Sequence, residues 1–320
     1  MEETGFAREG GCAEELSLGR EGQTARAAAL ARENAGRDEA ALERACELLG
    51  RADAVIVAAS NGFDIADGYN QFACDDEFQR VFGDLHRAYG LSCILQGLAA
   101  RWPSGEERWA FLRRLIEYGY RSYEPSPAMR ALDALTGGVP RFVVTCNCNG
   151  RFVRAGFSSE ALYETEGSYA WLRCTAHCSD AAYPVEDFEG LDRSAGEAVD
   201  AHAAAHVPSC PRCGSPLDAA VDDTGAITSL EPFASQARRY AEFLAAHETE
   251  RTVVLELGVG QRNLAIKAPL MRWAERAPRA SYVIVNRDAP FLPALPESRA
   301  VALRGDLSLV LGELAKRRTR

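Results

Sequence analysis

The chain has 320 residues, 47% hydrophobic and 26% charged, with a formal net charge of -10, which is enough to bury one large domain with an insert, or two domains. The acidic balance excludes an extended phosphate-binding face, which needs clustered Lys and Arg. No run approaches the roughly 18 apolar residues of a membrane span, and the first thirty residues lack an apolar signal core, so the expected compartment is the cytoplasm, with neither nucleic-acid nor membrane partners.

Residues 1–37 are rich in Glu, Arg, Gly and Ala and poor in β-branched and aromatic residues, which predicts a flexible N-terminal arm. The run from Asp38 to Leu49 has helical spacing, acid at its start and Gly50 at its end. It feeds the short apolar run Ala54 to Ala59, read as a buried parallel strand. Three further runs of this type are Arg141 to Thr145, Thr252 to Leu257 and Ser281 to Asn286, each followed by a turn containing Gly or Asn. Their alternation with helical stretches predicts an α/β fold, a doubly wound Rossmann-like parallel sheet. Ligands of such sheets bind at the carboxyl ends of the strands. Ser60, Asn61, Gly62, Asn147, Gly258, Val259, Gly260 and Asn286 are therefore expected to converge on one crevice.

Between the first two strands, residues 69–135 carry Phe78, Phe82, Trp109, Phe111, Leu112, Leu115 and Tyr118 at helical spacing. This predicts a helical insert supplying core and cleft wall. Residues 171–225 turn rich in Cys, His, Asp, Ala and Gly and read as a small inserted zinc-binding module. Cys174 and Cys178, with three residues between them, and Cys210 and Cys213, with two, are separated by 31 residues. That arrangement suits a tetrahedral zinc site. His177, His202 and His206 are available as substitutes, but four thiolates complete the shell, so the ion is expected to be structural. The basic run from Lys316 to Arg320 reads as a solvated helix end that complements the helix dipole.

The segment from Thr145 to Gly156, TCNCNGRFVRAG, resembles the sirtuin signature T-Q-N-I-D-G-L-H-x-R-A-G, keeping Thr145, Asn147, Gly150, Arg154, Ala155 and Gly156. The stretch from Ser60 to Ala73 is similar to the sirtuin element G-A-G-I-S-x-x-x-G-I-P-D-F-R, keeping Gly62, Gly68 and Phe72. Gly258 to Gly260 resembles the G-T-S turn, Asn286 the asparagine that contacts the adenosine ribose, and Gly305-Asp306 the late G-D near the adenine. The resemblance covers roughly residues 40–315 and makes 38–320 a sirtuin-like catalytic domain. It implies NAD as co-substrate, a protein acceptor, Phe72 as a flap over the nicotinamide end, and Asp306 among the cofactor contacts.

Departures from the family pattern fall where the chemistry occurs. The sirtuin catalytic histidine lies in E-L-H-G-S; here the aligned run is Glu164 to Ser168, so Glu166 takes that place. The family Asp in N-I-D is Asn149, its Gln is Cys146, and its P-D-F-R arginine is Ala73. The approach to the first cysteine, its three-residue spacing and the Leu255 to Gly260 segment look like the macrodomain-associated branch, whose members lack the histidine, usually carry Gln there, and act as protein mono-ADP-ribosyltransferases. Imidazole suits deprotonation near neutral pH, whereas a carboxylate suits stabilising positive charge on the ribose as nicotinamide leaves. Glu166, Asn147 and Asn149 are the candidate catalytic residues. ADP-ribosyl transfer is the favoured reading, with protein deacylation and a catalytically silent NAD or ADP-ribose sensor as alternatives. Cys146 and Cys148 read first as small core hydrophobes, with Cys146 the better placed of the two for thiol chemistry at the pocket.

Overall fold

The computed structural model describes residues 39–188, 207–222, 224–261, 263–288 and 290–318. The predicted arm at 1–37, together with His202 and His206, lies outside the described residues.

Six parallel strands form the main sheet: β1 (Ala54–Ala59), β2 (Arg141–Thr145), β3 (Leu162–Glu164), β7 (Thr252–Leu257), β8 (Ser281–Asn286) and β9 (Ala300–Arg304). Their spatial order is β3-β2-β1-β7-β8-β9. The chain therefore winds outward from β1 on one side, then crosses back and winds outward from β7 on the other. The boundary between β1 and β7 is the point where the winding reverses, and it leaves a crevice at the carboxyl ends of those strands. Val55, Val57 and Ala59 join one hydrophobic core, whereas Ile56 and Ala58 join another on the opposite face. Side chains alternate faces along a strand, so a run buried on both sides must be apolar throughout, as β1 is.

The four continuous apolar runs form strands with the expected boundaries. β3 and β9 extend the sheet at its edges. β3 has only three residues, and β9 leaves Arg304 exposed, so neither has the uniform apolar run of the central strands.

Between β1 and β2 lie helices Asp76–Tyr89, Ile94–Ala99, Gly105–Ile116 and Pro127–Thr136, with a π-helical turn at Glu117–Arg121. A second, antiparallel sheet, ordered β5-β4-β6, consists of β4 (Gly167–Cys174), β5 (Ala182–Pro184) and β6 (Leu217–Val221). It shares one core with the helical segment, in which Trp109, Phe111, Leu115, Tyr169, Cys174 and Cys210 are all buried. Trp109 Nε1 donates to the Leu217 carbonyl at 2.9 Å, and Arg108 pairs with Asp218 at 2.8 Å. Two insertions distant in sequence thus make one lobe against the sheet. The last helix, Leu307–Arg318, ends in Lys316, Arg317 and Arg318, the basic end expected from the dipole. Among the described residues, no helix is long and apolar enough to cross a membrane.

Candidate active site

Turns at the strand ends are stitched directly to one another. Ser60, 2% exposed, follows β1, and its carbonyl accepts from Asn147 Nδ2 at 3.2 Å in the turn after β2. The Gly62 amide donates to the Gly258 carbonyl at 3.1 Å, joining the turns after β1 and β7. Gly258 has φ 61°, and a Cβ on Gly62 would lie 2.7 Å from Gly258 Cα. Only glycine tolerates both that conformation and that approach. Asn286 Nδ2 donates to the Val259 carbonyl at 3.0 Å, which ties in the turn after β8. The strand-end residues expected to converge are therefore brought together through backbone and amide contacts. The Asn147 side chain is buried, and its Oδ1 has no partner within the protein. A buried acceptor left bare costs about 1–3 kcal/mol, which a donor on a bound molecule would recover.

Beneath Asn147 lies a buried charged cluster. Asp64, in the short helix Asn61–Ala66, is 4% exposed, and its Oδ2 accepts from Asn149 Nδ2 at 2.8 Å. Asn149 Oδ1 in turn accepts from the Arg151 amide at 3.1 Å. The Arg151 guanidinium sits 3.2 Å from Asp67, donates to the Gly119 carbonyl at 2.9 Å and lies 4.5 Å from the ring centres of both Tyr69 and Tyr123. Burial pushes the Asp64 carboxyl up to about 7, against the opposing pull of Arg151 and the Asn149 hydrogen bond. Glu164, at the end of β3, is likewise raised to about 7 by burial, although Ser168, Gln236 and the Gly150 amide hydrogen-bond to it.

Sequence reasoning passed over Asp64, Asp67 and Arg151. The usable signal was that positions 64 and 149 both depart from the quoted sirtuin motifs, and they depart in complementary ways.

Cys146, 6% exposed, lies 3.1 Å from Ser60 Oγ and accepts from Asn263 Nδ2 at 3.1 Å. Burial raises its thiol to about 11, so it is neutral at physiological pH and a poor nucleophile. Glu166 is half-buried in the turn between β3 and β4, where its carboxylate charge bears on both Cys146 and Cys148. The described histidines are engaged elsewhere. His86 bonds the Leu91 carbonyl, His247 pairs with Glu250, and His177 is exposed in the cysteine loop.

The remaining predicted residues have separate placements. Asn61 Oδ1 accepts from Gln71 Nε2 at 2.7 Å, and Gln71 Oε1 accepts from Tyr169, which fastens the loop that carries Phe72. The Phe72 ring itself is 47% exposed. Val259 is fully buried in the core, so its backbone, not its side chain, borders the crevice. The Gly260 carbonyl accepts from the Asn263 amide, and Asp306 Oδ1 accepts from the Leu309 amide at 3.2 Å in the first turn of the last helix.

In the second lobe, the sulfurs of Cys174, Cys178, Cys210 and Cys213 lie within 4.8 Å of one another. Cys174 and Cys213 lie 3.5 Å apart and Cys178 and Cys210 3.6 Å apart. Cys210 to Gly214 closes as a tight turn, with the Gly214 amide on the Cys210 carbonyl at 2.8 Å. Burial raises the Cys210 thiol, but hydrogen bonds from the Arg212 and Cys213 amides, Cys178 and Tyr183 together bring it down to about 6. Four clustered sulfurs, with one already poised as thiolate, fit a tetrahedral zinc ion with no open position.

A doubly wound six-stranded sheet, opened at its switch point and faced by a lobe with a four-cysteine centre, defines the class as Rossmann-type. No protein-family model matches the chain. Among solved structures, a Sir2 homologue in complex with NAD superposes with a TM-score of 0.57 at 18% identity, covering 87% of this chain and 93% of that one. A mutant Sir2 homologue in complex with ADP-ribose gives 0.57 at 20% identity, covering 87% and 96%. The fold is that of the Sir2 sirtuins. Among curated proteins, a protein ADP-ribosyltransferase of Staphylococcus aureus strain Mu50 is 25% identical over 264 residues, 81% of this chain and 82% of that protein. A probable bifunctional ADP-ribose hydrolase/ADP-ribosyltransferase of Fusarium oxysporum f. sp. cubense is 28% identical over 245 residues, 73% of this chain but 39% of that protein.

Proposed function

We infer that this chain is an NAD-dependent protein mono-ADP-ribosyltransferase of the sirtuin type, working in the cytoplasm on a protein acceptor. The observation that carries this reading is the chemistry at the crevice mouth. A carboxylate, Glu166, stands where the sirtuin motif has its histidine, and the described histidines are engaged elsewhere. The similarity to a protein ADP-ribosyltransferase over 82% of that protein's length supports the same choice over deacylation.

In this reading, residues 38–320 form the catalytic unit. The turns at Ser60 to Gly62 and Gly258 to Gly260 cradle the dinucleotide, Asn286 and Asp306 border its adenosine end, and Phe72 covers the nicotinamide end. The bare Asn147 Oδ1 accepts from a ribose hydroxyl, and Asn149 holds the neighbouring turn in register. The bond between nicotinamide and ribose breaks, nicotinamide leaves with the electron pair, and the acceptor forms the new bond to the ribose as it loses its proton. Glu166 stabilises the positive charge that develops on the ribose, an interaction that strengthens in a water-poor site. Zinc at Cys174, Cys178, Cys210 and Cys213 holds the second lobe together without taking part in the reaction.

Glu166→Ala and Glu166→Gln test the assignment by nicotinamide release and NAD affinity. The reading predicts about a 100-fold loss of release in Glu166→Ala and a smaller loss in Glu166→Gln, with affinity within a few-fold of the parent in both. Full activity in Glu166→Ala would contradict it.

A further inference from the structure

Asp64 and Asn149 are 85 residues apart in sequence and joined by one buried hydrogen bond. In the sirtuin elements quoted above, the positions of Asp64 and Asn149 hold Ser and Asp. Here the carboxylate stands on the β1 side of the bond and the neutral polar group on the β2 side. The pair keeps one carboxylate, carried at the opposite end.

The exchange has physical consequences. The Arg151 amide can only donate, so it takes Asn149 Oδ1 and leaves Nδ2 to donate to Asp64, which fixes which way the Asn149 amide points. Asn147, whose Oδ1 is the bare buried acceptor of the crevice, lies two residues before Asn149 in the same turn and lowers the cost of ionising the same carboxylate. Asp64 is thus the carboxylate that anchors the turn carrying both asparagines, through Asn149. A second carboxylate at 149 would set two like charges against each other in a buried site, where each raises the cost of ionising the other. Arg151 occupies the position of the motif's Leu, and with Asp67, Tyr69 and Tyr123 it forms the counter-charge and wall of the same cluster.

We propose, resting on the ADP-ribosyl-transfer reading above, that Asp64 is the positioning carboxylate of this crevice. It acts through Asn149 and the turn that carries Asn147, in place of the carboxylate that the sirtuin motif carries at 149. It does not touch the reacting atoms. It holds Asn149, and through that turn Asn147 with its bare Oδ1, and in its ionised form it supplies negative charge behind them.

The test uses the full chain and four variants: Asp64→Ser, Asp64→Asn, Asn149→Asp and the double Asp64→Ser/Asn149→Asp. Nicotinamide release gives kcat and KM for NAD, and thermal melts report folding. Asp64→Ser is expected to lose at least tenfold in kcat with KM changed less than threefold. Asp64→Asn, which keeps an acceptor but drops the charge, should lose as much. Asn149→Asp should also fall, and the double variant should return to within about threefold of the parent. A double variant no better than its worse single, or an unchanged kcat in Asp64→Ser, overturns the exchange, as does a loss that simply follows the melting temperatures. Should the parent release no nicotinamide, the functional reading fails separately. The exchange is then judged by NAD titration, where affinities weakened in the single variants and restored in the double sustain it, and equal affinities or no binding overturn it.

Discussion

Gly62 and Gly258 meet backbone against backbone. The Gly62 amide donates to the Gly258 carbonyl at 3.1 Å, and a Cβ on Gly258 would come within 2.5 Å of the Gly62 carbonyl carbon. This contact joins the two halves of the doubly wound sheet at the point where the winding reverses. A side chain at either position would separate the turns after β1 and β7. Gly258 also sits in the left-handed region, so Gly258→Ala carries both a conformational cost and a clash. It should lose about 1–3 kcal/mol in urea unfolding, and NAD affinity should fall with it. Unchanged stability would mean that the turns can part freely.

The four-cysteine cluster should hold one zinc ion per chain, measurable by elemental analysis of the purified protein. Chelation, or Cys210→Ser, should make the second lobe sensitive to protease while the main sheet remains folded, because such modules take much of their ordering from the metal. Trp109 packs against this lobe and bonds Leu217, so its fluorescence should change on chelation.

Lys267 and Glu256 form a buried ion pair, 4% and 0% exposed, with Tyr282 Oη donating to Glu256 at 2.7 Å. Lys267→Met leaves that carboxylate buried without its cation and should cost about 3–5 kcal/mol. Adding Glu256→Gln should recover most of the loss. A double variant as unstable as the single would show that the cost arises from packing and not from charge.

Asp64 and Glu164 both have folded values raised to about 7 by burial, above their ordinary carboxylate range. Between the unfolded value and about 7, the folded state binds more protons than the unfolded state, so these groups make stability fall as pH rises. Around Asp64 the facing groups are Arg151, Asp67, Tyr69, Asn147 and Asn149; around Glu164 they are Ser168, Gln236 and the Gly150 amide. Asp53 and Asp222 have lowered values and act in the opposite sense. The measurable quantity is therefore a difference. From pH 5 to pH 8, parent stability should fall relative to Asp64→Asn and to Glu164→Gln, by an amount on the order of a few kcal/mol. Parallel pH curves would contradict the raised values.

The sequence made the central strands legible because β1, β2, β7 and β8 are buried on both faces and are predominantly apolar. Cysteine spacing pointed to the metal cluster for a similar reason, since the chemistry constrains residue type directly. Roles that depend on long-range contact were not legible. Gly62 reads locally as room for a ligand, whereas its nearest neighbour is Gly258. Glu256 lies inside an apolar run, and only the fold brings Lys267 to it. The role of Asp64 depends on Asn149, 85 residues away, and Val259 faces the core although its neighbours border the crevice.

The central claim is transfer of ADP-ribose to protein, and the most direct test follows adenine-labelled NAD incubated with the pure protein and a cytoplasmic extract. Label retained on a protein band through denaturing electrophoresis, and lost with Glu166→Ala, is the predicted result. Label recovered in a small acyl-ADP-ribose product, or remaining wholly in intact NAD, would contradict it.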